Sequence, residues 1–308
     1  MRPDVIQFHD PELLFWVPWF ARRTQAALVF DVHEYYLESI VDKQWIPGIL
    51  KRPLRVFVQW VERTAVRRLS GFVVVSDHMA GMYRRYGKPI AVIPNYPKRS
   101  LFSDMTRDPD LARRYEGRKV IVYVGSLSAR RGLDTVLEAF AQVRARVPDS
   151  FLLLIGGFES EEYESRFRKK ARDLLPRDSY ELAGKVPHSD VFNYLKAANL
   201  GVYLPGTATK RYQWGEPTKL FEYCAAGLPA VVSDVEAKRR VLTATGNGIL
   251  VSPENPGQIA DAMARILLEP DLARKFSENG RAAFERQFCW EAIAPRLTDL
   301  YRTIRRAD

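Results

Sequence analysis

The sequence predicts an α/β protein built from two doubly wound, Rossmann-like domains, of which the N-terminal one is incomplete. A length of 308 residues favours two domains over one. Short runs of Val, Ile and Leu recur without polar alternation, which is typical of parallel strands that are buried on both faces. The stretches between them are amphipathic, and in residues 133–140 the apolar side chains follow the i, i+3, i+4, i+7 spacing of a helix.

The predicted strands form two series of unequal length. The first series comprises residues 4–8, 27–32, 71–76 and 91–94. The second series comprises residues 120–124, 150–155, 180–186, 200–204, 230–233 and 248–251. Six strands complete a Rossmann-type sheet, whereas four do not. At ~25–30 residues per strand–helix unit, we expect roughly three units to be missing before Met1.

A domain boundary is predicted at residues 94–118, because proline and polar residues are frequent there. We therefore expect a partial first domain over residues 1–100 and a complete second domain over residues 101–288. Residues 289–308 are expected to contain a closing helix.

The composition is that of an ordinary globular protein, with 46% apolar and 27% charged residues, which excludes collagen-like and wholly disordered chains. Two cysteines, Cys224 and Cys289, are too few for a disulfide scaffold or a zinc ribbon and indicate a reducing compartment. No uncharged run approaches the ~18–20 residues that a membrane-spanning helix needs. These observations predict a soluble, cytoplasmic protein.

The net charge of +10 is concentrated in residues 43–69, where seven cations stand against one acid, Glu62. An apolar stripe at helical spacing runs through the same residues, and the simplest interpretation is that it packs on a sheet. Aromatic residues beside the cations, including Trp45 and Trp60, also suit an anionic membrane surface. Nucleic acid is not expected as a partner because no recognised binding motif accompanies the charge.

The segment Glu216-Pro-Thr-Lys-Leu-Phe-Glu222 predicts the start of a helix that ends at Gly227. Lys219 and Glu222 are i, i+3 neighbours on it, and one interpretation is a surface ion pair. The other is that Glu222 binds the hydroxyls of a ribose while Lys219 and free backbone N–H groups face a diphosphate.

The loop that follows strand 120–124 contains a glycine at each end and two arginines, Arg130 and Arg131, before a helix. Solvated arginines are common at such places. A helix N-terminus with bidentate donors is also an anion site, and one nucleotide diphosphate would satisfy both this loop and Glu222.

His9 and His33 each follow a predicted strand of the first series. They are either polar residues that cap strands or ligands at the carboxyl edge of the sheet, where open α/β folds bind substrates. His78 and His188 are interpreted as surface residues. We expect no metal site, because no His, Cys and Asp cluster has metal-ligand spacing along the chain.

Together these segments resemble the GT-B glycosyltransferases of the GT4 type, the glycosyl transferases group 1. The resemblance extends over essentially the whole chain and rests on the segments His9-Asp-Pro-Glu-Leu13, Phe30-Asp-Val-His-Glu34, Gly125-Ser-Leu-Ser-Ala-Arg-Arg-Gly-Leu-Asp134, Glu216-Pro-Thr-Lys-Leu-Phe-Glu222, Ala225-Ala-Gly-Leu-Pro229 and Phe288-Cys-Trp-Glu291. It implies an acceptor-side first domain, a nucleotide-sugar donor domain and a last helix that crosses back to the first domain.

The resemblance also implies roles for individual residues. Glu222 would hold the nucleotide ribose, Arg131 the donor phosphates, and His9, with His33 as second candidate, would be catalytic. The donor-binding candidates are Gly125, Ser126, Arg130, Arg131, Thr218, Lys219, Leu220 and Glu222. Two positions depart from the family pattern: Trp214 stands where a first acid is usual, and Ser126 where an arginine is usual.

The implied activity is the transfer of a hexose-like sugar from a UDP- or GDP-sugar to a hydroxyl, with retention, in polysaccharide or glycolipid synthesis. The partners would be the nucleotide-sugar donor, a glycan or lipid-linked acceptor and an anionic membrane surface on the inner face of the cell membrane. No cofactor and no metal are expected. The alternatives are a partial or inactive GT-B subunit that needs a partner, and a sugar-nucleotide epimerase of the same fold.

Overall fold

The computed structural model describes residues 2–37, 40, 46–103, 108–206 and 213–306. The chain divides into two compact units, the first formed by residues 1–95 and 291–308 and the second by residues 96–290. Each unit contains one parallel sheet with helices. The predicted class, two Rossmann-like domains of the GT-B type, is confirmed.

The first unit contains a four-stranded sheet in the order β1-β2-β3-β4, with every pair parallel. The strands are β1 Val5–Phe8, β2 Ala27–Val32, β3 Gly71–Val74 and β4 Ile90–Val92. Every residue of the two central strands is buried, whereas the edge strands are largely half-buried. This explains why β2 and β3 are apolar without alternation, with the exception of Asp31.

The helices of the first unit begin with a 3₁₀ segment, Pro11–Trp16, which contacts the longest helix of the unit. The α-helices are α1 Val17–Arg23, α2 Gly48–Val66 and α3 Asp77–Tyr83, followed by a 3₁₀ turn at Arg84–Tyr86. The side chain of Ser76 accepts a hydrogen bond from the backbone N–H of Met79 at 3.2 Å. Strand β3 therefore ends before Ser76, two residues earlier than the sequence predicts, because Ser76 caps α3.

The second unit contains a six-stranded parallel sheet in the order β10-β9-β8-β5-β6-β7. Its strands are β5 Lys119–Val124, β6 Ser150–Ile155, β7 Tyr180–Gly184, β8 Leu200–Tyr203, β9 Ala230–Ser233 and β10 Gly248–Val251. β5 pairs with β6 on one side and with β8 on the other. The strand order therefore reverses at β5, and the crevice beside it is the place where doubly wound sheets bind ligands.

The helices of the second unit are α4 Ser100–Ser103, α5 Pro109–Arg114, α6 Leu133–Arg146, α7 Glu161–Leu174, α8 His188–Ala197, α9 Thr218–Ala226, α10 Glu236–Thr245, α11 Pro256–Leu268 and α12 Pro270–Gln287. α9 ends at Gly227, where the sequence places its end, with φ +66° in the left-handed region that favours glycine. The last helix, α13 Trp290–Arg306, lies in the first unit from residue 291 on. Its Leu300 and Ile304 are buried, and Gly71 of β3 lies against them.

Both cysteines are buried, as the sequence predicts for core thiols, and burial raises the pKa of the Cys224 thiol to about 12. The largest side chains that are fully buried include Tyr123 of β5 and Tyr223 of α9. Among the described residues, no helix combines the length and the apolarity needed to cross a membrane.

Candidate functional site

The glycine loop of the second unit begins at Gly125, directly after β5 and beside the strand-order reversal. Gly125 has φ +140°, a conformation that side chains other than glycine's rarely adopt. The loop continues through a 3₁₀ turn at Ala129–Arg131 into α6. Its backbone approaches the end of β8, since a Cβ at Gly132 would lie 2.0 Å from the Leu204 carbonyl oxygen. The loop is therefore seated in the crevice between β5 and β8.

Two cations that the sequence predicts to bind the donor, Arg131 and Lys219, lie close to Gly125. A Cβ at this position would lie 2.6 Å from Cε and 3.1 Å from Nζ of Lys219, and 3.3 Å from Nη1 of Arg131. Burial lowers the pKa of Lys219, the charge of Arg131 lowers it further, and Glu222 opposes the shift. Two positive groups held this close repel each other, and an anion bound between them would relieve the repulsion. The fold therefore brings together the loop arginine and the helix lysine.

Helix α9 begins at this same place. Pro217 precedes its first residue, Thr218, and no side chain caps the helix start. The amide groups of its first turn, which have no partner within a helix, carry the positive end of the helix dipole. Leu220 is 1% exposed and anchors the helix in the core. The N-terminus of α9 thus adds backbone donors to the two cations.

Glu222 is the one acid of α9, and it is 5% exposed. One of its carboxylate oxygens lies 3.2 Å from Nε2 of His188, whose side chain is 70% exposed. His188, interpreted from the sequence as a surface residue, is indeed exposed but also contacts a candidate site residue. The sequence separation of 34 residues hid this contact. A buried carboxylate with an exposed partner is suited to accept hydrogen bonds from vicinal hydroxyls.

The other two loop candidates are placed differently. Arg130 is exposed and forms an ion pair with Glu159. Ser126 is also exposed, and its backbone oxygen accepts a hydrogen bond from the Tyr123 hydroxyl at 2.9 Å. The side-chain atoms nearest to a Cβ at Gly125 belong to Lys219 and Arg131. Because Ser126 stands where the family usually has an arginine, either Arg130 or Lys219 could supply the second cation, and the geometry favours Lys219.

The segment that precedes α9 is held by a lysine that the sequence gave no reason to single out. Lys238 of α10 is 1% exposed, and its ammonium donates to the Gly215 carbonyl at 2.9 Å. Burial lowers the pKa of Lys238 to about 8, and the charge of Glu216 opposes the shift. Glu216 itself is paired with Arg240 at 2.7 Å. These contacts fix the backbone from which Thr218 and Lys219 project.

In the first unit, the carboxyl ends of β1 and β2 bring His9 and His33 together. Their rings stack with centroids 5.0 Å apart, and His9 Nδ1 lies 2.8 Å from His33 Nε2. Asp31, a buried residue of β2, lies 3.2 Å from each of these nitrogens, through Oδ2 for His9 and Oδ1 for His33. The hydrogen bond to Asp31 raises the pKa of His33, although burial acts in the opposite direction.

Two successive hydrogen bonds connect Asp31 to Gln7 and Gln7 to the last helix. Gln7 of β1 donates through Nε2 to Asp31 Oδ2 at 2.6 Å. The Oε1 of Gln7 accepts a hydrogen bond from the Tyr301 hydroxyl of α13. Burial raises the pKa of Tyr301, so this hydroxyl remains a donor at neutral pH. Asp31, Gln7 and Tyr301 are site residues that the sequence did not identify, because they pair only through the sheet and the last helix.

The expectation of no metal site rested on spacing along the chain, and that spacing does not describe which side chains meet in the fold. The ligand atoms of His9, Asp31 and His33 lie within 4.8 Å of one another and could hold a metal ion. Spacing along the chain did not reveal the cluster, because its members come from two strands.

The comparisons with known proteins agree with the fold and with the family resemblance of the sequence motifs. The family described as Glycosyl transferases group 1 matches residues 104–283, which is more than half of the chain. The chain belongs to this family. The family described as Glycosyltransferase Family 4 matches residues 1–96. Because that match includes the first domain from residue 1, the expectation of a missing opening part is not supported by it.

Individual relatives of the family are similar over most of the chain. The alpha-D-kanosaminyltransferase of Streptomyces kanamyceticus is 26% identical over 83% of this chain and 66% of its own length. The phosphatidyl-myo-inositol mannosyltransferase of Mycobacterium leprae is 25% identical over 98% of this chain and 74% of its own. The chain thus spans about two thirds to three quarters of these two relatives. The structure of Anabaena HepE in complex with UDP superposes with a TM-score of 0.75, at 15% identity, over 97% of this chain and 79% of that one.

Proposed function

We propose that the chain transfers a sugar from a nucleoside diphosphate sugar, UDP- or GDP-linked, to a hydroxyl acceptor with retention of configuration. The observation that carries the proposal is the convergence of Arg131 and Lys219 over Gly125, with the buried Glu222 one turn further along α9. A diphosphate and a ribose are the parts of a nucleotide that such a set would bind. The relatives named above as mannosyl- and kanosaminyltransferases, and the UDP complex of HepE, support the same substrate class.

In the proposed reaction, the bond between the anomeric carbon and the β-phosphate oxygen breaks, and the acceptor oxygen bonds to that carbon on the same face. The proton of the acceptor hydroxyl passes to the departing phosphate oxygen. Negative charge develops on the departing diphosphate. Arg131, Lys219 and the N-terminal amides of α9 are the groups that would stabilise it, and preorganised donors of this kind account for much of the catalysis in enzymes. These groups would do so without a metal ion.

On the acceptor side, we assign the catalytic role to His9, with His33 beside it. The two rings and Asp31 share protons at short distance, so the cluster can present either a donor or an acceptor to a substrate hydroxyl. Asp31, held by Gln7, is a positioning residue because its carboxylate fixes the orientation of both rings. The roles would be to orient the sugar and to stabilise charge in an oxocarbenium-like transition state.

The donor assignment is tested by calorimetry with UDP, GDP and uridine. Arg131→Ala should lower UDP affinity by about tenfold to a hundredfold and leave uridine binding unchanged, because only the diphosphate carries the charge that Arg131 meets. Arg146→Ala is the matched control: Arg146 lies in the last turn of α6 in an exposed pair with Asp261. Equal losses for UDP and uridine in Arg131→Ala would contradict the assignment.

The two alternative functions make different predictions. A partial or inactive subunit would bind UDP or GDP but show no turnover of the sugar nucleotide without a partner. An epimerase would convert the sugar of the donor in the absence of any acceptor, and it would need additional acid and base residues that the sequence does not identify. Turnover that depends on added acceptor supports the transferase.

We also propose that the first unit docks on an anionic membrane surface through α2. Trp60 is 61% exposed, and Ile49 is 86% exposed. Residues 43–69 form a basic window whose single acid, Glu62, is buried and accepts hydrogen bonds from Tyr36 and Tyr86. α2 therefore presents only cations among its exposed charges. Exposed aromatics next to cations are typical of helices that lie at a membrane interface. Lys43 and Trp45, which the sequence includes in this surface, lie outside the described residues.

A further inference from the structure

The first unit contains a cavity of about 510 Å³, and none of the proposed donor-binding residues lines it. This volume lies within the range of ligand pockets. Its charged and imidazole side chains all come from the segments that follow β1 and β2: His9, Asp10, Glu12, His33 and Glu34. The remaining lining side chains are apolar or aromatic and come from the sheet, the 3₁₀ segment Pro11–Trp16, α2 and three residues between β2 and α2, namely Tyr36, Ile40 and Ile46. The hydroxyl of Tyr36 donates a hydrogen bond to Glu62. The cavity therefore has one polar end and an apolar body.

The apolar body opens to the surface along α2. Phe15, Leu54 and Phe57 line the cavity and yet remain 59%, 36% and 51% exposed. The first half of α2 therefore does not pack as the sequence suggests, whereas Ala65 at its other end is buried. Contiguous exposed apolar surface on a protein marks a place where something binds.

We propose that the cavity takes the hydrocarbon chain of a membrane-resident lipid acceptor, with the hydroxyl-bearing head of that lipid at His9 and His33. The inference rests on the proposed function and names the class of its acceptor. Arg52 and Arg55 lie on α2 close in sequence to the lining residue Leu54, and their charges complement an anionic bilayer, from which such a lipid would enter.

The lining discriminates against a purely carbohydrate acceptor. Each sugar hydroxyl that leaves water needs a hydrogen-bond partner, and an apolar body formed by residues such as Val58 and Val61 supplies none. A hydrocarbon chain has no hydrogen bonds to water to lose, and the burial of its apolar surface is favourable. The charged and imidazole side chains that could bind a hydroxyl-bearing group lie at the end of the cavity that contains the two histidines.

The test uses alkyl β-D-glucosides as probes of the cavity, at concentrations below micelle formation. Calorimetry or fluorescence titration of the whole chain should detect decyl glucoside binding, weaker octyl glucoside binding and no methyl glucoside binding. Two added methylenes should raise affinity about tenfold, since each buried methylene adds a roughly constant increment.

Variants distinguish the cavity from surface adhesion. Val61→Phe fills the cavity and should lower decyl glucoside affinity at least about tenfold, and Val58→Asp, which places a charge in it, should do the same. Val56→Phe is the matched control on the same helix, because Val56 is 60% exposed and does not line the cavity. UDP affinity, measured on each variant, shows that the second unit remains folded and is expected to be unchanged.

The proposal is overturned if decyl glucoside fails to bind the wild-type chain, or if Val61→Phe and Val56→Phe weaken it equally. It is also overturned if Val61→Phe and Val58→Asp bind UDP normally and retain full affinity for decyl glucoside. Failure of the proposed function would be visible separately, as absence of UDP and GDP binding to a chain that still binds the alkyl glucosides.

Discussion

The Nδ1 atom of His9 lies 2.8 Å from Nε2 of His33, although 24 positions separate the two residues. At this distance one nitrogen must donate and the other accept, because two N–H groups facing each other would repel. The buried carboxylate of Asp31 lies within 3.2 Å of both nitrogens. The pair is therefore a proton-sharing cluster, and its charge depends on pH.

The first prediction concerns that pH dependence. Because the pKa of His33 is raised above 6.5, its protonated form is favoured by folding. This contribution to stability is complete below pH 6.5 and is lost as the pH rises through the pKa of His33 in the folded chain. NMR titration of the histidine ring protons should show the raised pKa in the wild type and a lower one in Asp31→Asn. If the pKa of His33 is the same in Asp31→Asn as in the wild type, Asp31 is not the cause of the raised pKa.

The second prediction concerns His9. Replacing it with alanine should lower kcat about a hundredfold and leave UDP affinity unchanged, since we propose that His9 acts on the transferred sugar and that the nucleotide binds in the second unit. His78→Ala is the control, because His78 contacts Tyr35 and lies outside the cluster. Steady-state kinetics with a UDP- or GDP-sugar would contradict the assignment if the two variants lost activity alike.

The third prediction concerns Glu222. Glu222→Ala should lower the affinity for both UDP and uridine, by about 2–3 kcal/mol, because the ribose that it holds is present in both. This pattern differs from that of Arg131→Ala, which should spare uridine. Glu236→Ala, an exposed acid in the first turn of α10, serves as control in the same calorimetric series. If Glu222→Ala binds UDP and uridine with wild-type affinity, Glu222 does not bind the ribose.

A fourth prediction addresses metal dependence. Because Arg131, Lys219 and the α9 N-terminus can neutralise a diphosphate, prolonged treatment with EDTA should leave turnover unchanged. The measurement is the initial rate before and after chelation, with Mg²⁺, Mn²⁺ or Zn²⁺ then added back. Loss of activity that Zn²⁺ restores in the wild type, but not in His33→Ala, would instead assign a metal to the cluster of His9, Asp31 and His33.

The fifth prediction concerns membrane docking. Co-sedimentation with liposomes should increase with the fraction of anionic lipid, since each cation near such a surface contributes about 1 kcal/mol. Replacing four arginines of the basic window with Glu should abolish co-sedimentation with the liposomes: Arg52, Arg55, Arg63 and Arg67. The control reverses four exposed cations of the second unit: Arg166, Lys169, Arg172 and Arg177.

The docking surface is contradicted if both quadruple variants lose liposome binding equally, or if the wild type ignores anionic liposomes. Salt dependence separates a bilayer from nucleic acid. Binding to a bilayer should partly survive moderate salt, because buried aromatic side chains such as Trp60 add a contribution that salt does not screen. Binding to DNA would fall steeply with salt through counterion release.

The sequence alone determined the strands, their order along the chain and the class of fold. All ten predicted strands are present within the described residues, and their limits differ by at most two residues. This succeeded because burial on both faces dictates composition locally, strand by strand. The sequence also identified α9, since Pro217 and Gly227 mark its start and end by backbone chemistry alone.

Only the tertiary structure decided which side chains meet. Asp31 is one polar residue in an apolar strand, and nothing local distinguishes it until β1 pairs with β2 and brings Gln7 and His9 beside it. The cavity along α2 was likewise invisible, because periodicity shows that a helix has an apolar face and not whether that face is covered. Local patterns report the burial of backbone and side chain, whereas contacts between distant residues depend on the register and packing of whole elements.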